Sequence, residues 1–457
     1  MKNLILRIIP LLNLLLLMGC DNFVTVETPT SQLTGSAVFE DRNTANAAMV
    51  AIYAKLRDGG LLCGSSGGST ATLGMYADEL VYYGGNDEHV FPFFSNNLLA
   101  TNALVSQLWS TSYHQIYCAN AVIEGCENST SLSTADKNQF IGEALFVRAL
   151  VHFYLGSIYG DVPYIVTTDY TINKLAGRLP INEVNERVIS DLEKAVLLLP
   201  EAYVSPERVR PNSATASALL ARVYLYAGQW AEASNAASAV INNSLYVWED
   251  DIDAIFLKES STTIWQFSPK LDGNNTDEGE LFIFENGPPP YVGLSAELFN
   301  SFATNDLRKT HWIATISDGT DSWYHANKYK QQSNTGTSME YSIVFRLGEQ
   351  YLIRAEARAR QEELTNALED LNKVRQLAGL LDTTAVGSNE IIAAVLQERR
   401  HELFTEYGHR FFDLKRNGVI NTLLPIIKPS WNSTDQFWPI PENELLINPN
   451  LTQNPGY

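Results

Sequence analysis

The densest gathering of ionisable side chains lies in residues 398–418, ERRHELFTEYGHRFFDLKRNG, where Glu398, Arg399, Arg400, Glu402, Glu406, His409, Arg410, Asp413, Lys415 and Arg416 fall within nineteen positions. Such a set could supply general acids and bases, or ligands to a metal. Helical spacing argues for another use. Positions four apart, such as Glu402 and Glu406, collect acids on one face away from the bases, an arrangement suited to ion pairs between helices and to carbonyl capping. His401 and His409 stand eight apart, and a helical zinc site uses a pair at four. A structural polar network is expected here, with no metal.

Two other patterns resemble chemical motifs and lack their context. Gly64-Ser65-Ser66-Gly67-Gly68 has the form G-x-S-x-G, but a nucleophile elbow needs a strand before it and a helix after it. A helical run ending at Gly59-Gly60 precedes it, so a flexible loop is expected. Asp272, Asn274 and Thr276 alternate in DGNNTDEGE as calcium ligands do. The sixth position is Asp277 where a calcium loop needs Gly, and the twelfth is Ile283 where it needs an acid. A solvated turn is expected. No catalytic residue and no cofactor is assigned.

Aromatic side chains offer a different chemistry, capture without reaction. Sugar rings present apolar C–H faces that stack on Trp or Tyr while polar neighbours orient the hydroxyls. Of the eight Trp, Trp109, Trp230, Trp265 and Trp438 sit in patterns that read as core. The aromatics in loop-like sequence are Tyr82, Tyr83, Phe91, Phe93, Tyr291, Trp312, Trp323 and Tyr324. Residues 82–97, YYGGNDEHVFPFFSNN, read as a functional surface loop.

The elements that must carry these side chains are mostly helical. Apolar residues recur at helical spacing over 44–56, 103–125, 135–159, 183–199, 213–227, 230–242, 342–362, 364–378, 388–405 and 409–416. Between about 245 and 341 the period weakens, Gly, Pro, Asn and Asp cluster, and short strand-like runs such as TTIWQF appear. Leu220, Ala221, Tyr224, Gly228, Trp230, Ala233 and Ala237 fall in the register of a tetratricopeptide repeat, and Ala355, Leu364, Ala367, Leu371 and Val374 repeat it more loosely. The expected fold is mainly α: a tetratricopeptide-like helical-hairpin scaffold with an irregular, loop-rich region containing short β-strands. Repeat scaffolds usually bind partners.

The chain opens Met-Lys, continues with an apolar run from Leu4 to Met18 that carries Arg7, and reaches Gly19-Cys20. This reads as a signal peptide over 1–19. LLMGC resembles a bacterial lipobox, so Cys20 is expected to be lipidated and to anchor the chain stably to a membrane. Cleavage removes Lys2 and Arg7 and no acid, deepening the formal charge of −20. Such a surface repels phosphate backbones, so nucleic acid is excluded as a partner. Cys118 and Cys126 lie about 12 Å apart on one expected helix, too far to pair. Buried free thiols are expected.

Five stretches taken in order resemble the SusD/RagB nutrient-binding lipoproteins: TPTSQLTGSAVFEDRNTANAAMVAIYAKL, GEALFVRALVHFYLGSIYGDVPY, RPNSATASALLARVYLYAGQWAEA, ERRHELFTEYGHRFFDLKRNG and WPIPENELLINPNLTQNPGY. The resemblance implies helical-hairpin regions over 20–243 and 244–457, the second holding the irregular ligand section. It also implies a surface-exposed, lipid-anchored protein of the outer membrane that acts as a lid on a SusC-like TonB-dependent barrel. Ligand contacts are then expected in the loop after the first helices and in the irregular middle, at Tyr82, Tyr83, Asn86, Tyr291, Trp323 and Tyr324. The expected ligand is an oligosaccharide, with an oligopeptide as the alternative within the family. A scaffold without a small ligand and a helical glycoside hydrolase are the competing classes. The hydrolase would need two carboxylates about 5 to 10 Å apart in a cleft.

Overall fold

The computed structural model describes residue 35 and residues 37–457, so Cys20 and the leader lie outside the described residues. Helix α1 (Arg42–Asp58) begins where the Asp41 carboxylate accepts from the Asn43 and Thr44 amides, and ends against Gly59-Gly60. It is followed by α2 (Ser69–Tyr76), α3 (Ala103–Asn128), α4 (Thr134–Tyr159), α5 (Ile181–Leu198), α6 (Ser213–Tyr226) and α7 (Trp230–Ile241). Asn102, Ser133 and Asn212 cap α3, α4 and α6 by accepting free first-turn amides, the role short polar side chains play best. After the irregular section come α8 (Leu347–Arg360), α9 (Leu364–Leu377), α10 (Ser388–Glu402) and α11 (His409–Arg416).

From α3 to α9 each helix packs on the next, giving a stack of antiparallel hairpins. Helix α4 is apolar on every side and long enough to cross a membrane, but 89% of its apolar window is buried inside the protein. It is the core helix. The repeat register works as its residue types require. Ala221, Ala233 and Ala237 are fully buried between α6 and α7, and Gly228 makes the turn between them at φ 74°. Helix α7 then packs directly on α8, although residues 242–346 lie between them.

That intervening section has its own core. Phe256, Phe282, Leu298, Phe302, Trp312 and Tyr329 bury against one another and against Met75 and Leu80. Trp312, a loop aromatic by sequence, is 1% exposed and donates its indole N–H to the Ile252 carbonyl. The strands are β1 (Leu80–Tyr82), β2 (Thr263–Phe267), β3 (Val292–Leu294), β4 (Ile313–Ser317), β5 (Ser322–Ala326) and β6 (Ser342–Arg346). One sheet has the order β1-β3-β5-β4, and β2 pairs with β6 in a second. The first residues of the helix expected over 342–362 are thus strand β6, because their partners on β2 hold them extended, and the helix starts at Leu347.

The charges of residues 398–416 form the expected structural network, almost wholly buried. Arg308 reaches Asp306, Glu398 and Glu402 at 2.8, 2.7 and 3.0 Å. Arg346 pairs with Glu402 and Glu406, Arg399 with Asp413, Arg416 with Glu356, and both Arg400 and Arg410 with Asp78. These pairs join the helical stack to the second core. His409 is buried among Arg222, Arg399 and Arg346; burial first and these cations next hold its imidazole far below its ordinary pKa.

Candidate functional site

The β1-β3-β5-β4 sheet collects the aromatic residues that the sequence scatters over more than two hundred positions. Tyr82 closes β1, opposite Val292, and Tyr291 precedes β3. The Tyr83 amide donates to the Tyr291 carbonyl at 2.7 Å, extending the pairing one step past the strand. Trp323 and Tyr324 lie in β5, where Tyr324 faces Leu294 of β3 and Thr315 of β4. Five of the six expected contact residues therefore belong to one sheet or its margin. Asn86, the sixth, is exposed in the turn just beyond β1.

Alternation along the strands sorts them onto two faces. Leu80, Tyr82, Val292 and Leu294 point into the second core. Tyr82 is 8% exposed, its ring edge-on to Tyr291 at 5.3 Å and tilted against Phe91. Tyr324 stacks on Phe299 at 3.8 Å and 12°, with the Lys309 ammonium 4.3 Å over the Phe299 ring. Tyr83, Gly293, Trp323 and His325 have the other parity. Across that second face runs the strap Phe284–Pro289. Phe284 packs on His325 at 5.0 Å, the Gly287 backbone lies against the Trp323 ring, and Pro289 and Tyr83 meet over Gly293.

The result is a ridge running Tyr83, Pro289, Gly287, Trp323. Tyr83 is 38% exposed and Trp323 half-buried, and the exposed polar residues Asn86, Glu285 and Asn286 flank them. Burial raises the Tyr83 phenol above its ordinary range and pushes that of Tyr291 up to about 12, so both are neutral hydrogen-bonding groups. Among the described residues the Tyr291 hydroxyl is buried without a hydrogen-bond partner, with Ser66 beside it. The loop 64–68 thereby becomes a further segment of the site.

The motif-like patterns have other uses. Ser66 precedes α2 in a loop that no strand enters, and its neighbour is the Tyr291 hydroxyl. Thr276 accepts from the Gly279 amide as a helix cap, and Asn274 accepts from Asn334, so two of the three oxygens spaced like calcium ligands are engaged within the protein. Among the described residues no three His, Cys, Asp or Glu side chains converge as a metal site. Cys63, Cys118 and Cys126 are free thiols, Cys63 and Cys126 buried as expected and Cys118 only partly so.

Part of the expected surface loop is anchored. Phe93 is fully buried, edge-on to Trp438 at 4.9 Å, and the Asn96 side chain donates to the Tyr76 carbonyl. Phe91 and Asn97 are exposed beside these anchors, as is the whole stretch 83–89. The Asp87 carboxylate fixes their turn by accepting from the His89 and Val90 amides, bonds that hold its pKa below the usual range. The strap was legible only as a turn-rich Asn-Gly-Pro-Pro-Pro run, and Phe299 carried no sequence signal of its own.

Comparison with known proteins bears on the whole chain. A family model described as "Starch-binding associating with outer membrane" matches residues 86–225, and one described as "SusD family" matches residues 307–457. SusD-like protein P25 of Formosa agariphila is 23% identical over 96% of this chain and 97% of its own. A SusD superfamily protein from Bacteroides vulgatus superposes with a TM-score of 0.80 at 21% identity, covering 91% of this chain and 99% of that one. Surface glycan-binding protein A from Bacteroides thetaiotaomicron, solved with laminarihexaose, gives 0.76 at 20% identity over 90% of this chain and 99% of its own.

Proposed function

The chain belongs to the SusD/RagB family, and from that premise we propose that it is a glycan-binding protein that holds an oligosaccharide on the Tyr83–Trp323 ridge and leaves it chemically unchanged. The observation that carries this reading is the meeting of Tyr83 and Trp323, some 240 residues apart in the chain, on the sheet face turned away from the second core, bordered by exposed Asn86, Glu285 and Asn286. Flat apolar rings edged with polar groups match the two surfaces of a pyranose. Tyr83 and Trp323 supply stacking area, while Tyr82, Tyr291 and Tyr324 hold the platform rigid through their own ring contacts. A fold neighbour crystallised with laminarihexaose adds support for the ligand class.

Lipidated Cys20 keeps the protein on the outer face of the outer membrane, where it delivers captured glycan to a SusC-like TonB-dependent barrel. The family description supports the membrane association; the anchor and the barrel are part of the proposal. Calorimetry on the mature chain with Cys20→Ala tests the ligand. Laminarihexaose and other oligosaccharides should bind with affinity in the range of about −4 to −8 kcal/mol. Trp323→Ala and Tyr83→Ala should each weaken the best of them about fivefold, the equivalent of one aromatic contact of about 1 kcal/mol. A panel in which only peptides bind, or affinity unmoved by both substitutions, refutes the reading. Pull-down from outer membranes should recover a TonB-dependent barrel.

A further inference from the structure

Away from the sheet, helix α3 presents Trp109, Tyr113 and Tyr117 to a cleft of about 230 Å³. Their i, i+4, i+8 spacing puts the three rings on one helix face over about 12 Å. Two short surface helices with no buried residue, Tyr170–Asn173 and Glu442–Ile447, contribute Asn173, Glu444 and, just past the second helix, Asn448. The Tyr113 hydroxyl donates to the Pro163 carbonyl at 2.9 Å, and its ring lies 4.9 Å from that of Trp109. Tyr117 is 48% exposed.

The amides of this lining are largely spent. Asn448 donates to the Ala176 carbonyl and accepts from the Asn450 amide, and Asn173 donates to the Thr167 carbonyl. Glu444 differs from them. It is the one charged residue of the lining and enters no ion pair among the described residues. The neighbouring bases are engaged elsewhere: Arg178 donates to the Asp161 and Thr452 carbonyls and to Asn454, and the Lys174 ammonium lies 5.4 Å over the Tyr170 ring. Burial raises the Glu444 pKa, with the Trp109 indole opposing. Burial first and this carboxylate next hold the Tyr113 phenol well above its ordinary range. An acid desolvated and unpaired in this way is stabilised by an incoming positive charge.

The rings suit the same visitor. Arg360 and Lys373 lie over Trp230 and Trp248 at 4.6 and 5.1 Å, whereas among the described residues no Lys or Arg lies over Trp109, Tyr113 or Tyr117. A carboxylate edged by aromatic rings matches an organic cation, and a formal charge of −20 attracts one. Clefts for drug-sized ligands start at about 300 Å³, so this one takes a head group and not an oligosaccharide.

We propose that this cleft binds a guanidinium or ammonium head on an apolar stem, its charge paired by Glu444 and held against the Tyr113 and Tyr117 rings. Such a head belongs to a free amine or to an Arg or Lys side chain of a partner polypeptide. The site shares no residue with the sheet ridge and does not depend on the glycan reading.

The test is calorimetry of the mature Cys20→Ala chain with acetyl-arginine amide, its neutral isostere acetyl-citrulline amide, and the pentapeptide Ac-Ala-Leu-Arg-Leu-Ala-NH2. The arginine amide is expected to saturate and the citrulline amide to bind about tenfold more weakly. Glu444→Gln, which keeps the shape of the side chain, should cost the arginine amide about tenfold and erase its preference over citrulline. Tyr117→Ala, at an exposed position, should cost it about threefold. A pentapeptide no tighter than the amide makes the cation a free amine, and a tighter one makes it a partner's side chain; either upholds the site. Thermal melting and laminarihexaose titration of Glu444→Gln should match those of the parent, which separates failure here from failure of the ridge. Absence of saturable binding, equal binding of the two amides, or an arginine amide indifferent to Glu444→Gln overturns the proposal. Displacement of the arginine amide by laminarihexaose assigns the cleft to sugar and overturns it equally.

Discussion

Replacing Gly287 by Ala probes how the ridge is built. A Cβ there would stand 2.0 Å from Cε3 and 2.1 Å from Cζ3 of Trp323, where carbon atoms in contact keep about 3.5 to 4.0 Å. Either the indole withdraws by about 1.5 Å or the strap lifts by as much. Overpacking of this size destabilises by about 1–3 kcal/mol. A displacement three times the tolerance of about 0.5 Å for a working site should also lower glycan affinity by about 1–2 kcal/mol, a factor of about 5–30. Removing the ring removes the clash, so Gly287→Ala in a Trp323→Ala background should change stability by less than about 0.5 kcal/mol. Denaturant titration of the four proteins closes the cycle, with calorimetry read alongside. A strap that merely passes nearby would give additive effects within about 0.5 kcal/mol, and that result refutes the packing argument.

Other expectations follow from the buried charges. Arg308→Met leaves the buried Asp306 without its cation and removes one of two from Glu398 and Glu402, which keep Arg375 and Arg346, and should destabilise by about 3–5 kcal/mol in denaturant titration; a loss under 1 kcal/mol would show the acids to be satisfied without it. Burial holds the Glu278 carboxyl up at about 7 from an ordinary 4.5, against the opposing bond from Ser342. The folded state keeps a proton that the unfolded chain has released, so the contribution is full below pH 4.5 and is lost as pH rises through 7, about 3 kcal/mol in all. Glu278→Gln should flatten the fall in stability between pH 5 and 8, and parallel curves for the two proteins would contradict this.

The helical stack was legible because most of its helices carry their own 3.6-residue period, α4 being a long apolar run, and most of its contacts are with chain neighbours. Gly228, the alanines around it and Tyr224 could be placed from spacing alone. What escaped was non-local. Ser342–Arg346 continues the apolar pattern of the helix after it, and only pairing with Thr263–Phe267 makes it a strand. Trp312 and Phe93 lie in sequence rich in turn residues, yet bury under Phe256 and Trp438, which are distant in the chain. The charges of 398–416 announced a network, while their partners Asp78, Arg308, Arg346 and Glu356 could be found only in the structure. The aromatic residues of the site could be named one by one, but the sheet order that unites them, and the strap that covers one side of Trp323, depend on pairings between strands more than two hundred residues apart.

The most direct test of capture on the ridge is a crystal structure of the mature chain soaked with its best-binding oligosaccharide. Intact sugar rings against Trp323 and Tyr83, with Asn86 or Asn286 bonded to hydroxyls, are the expected result. A glycan cleaved in the crystal, or one seated in the Trp109–Tyr117 cleft with the ridge bare, would contradict it.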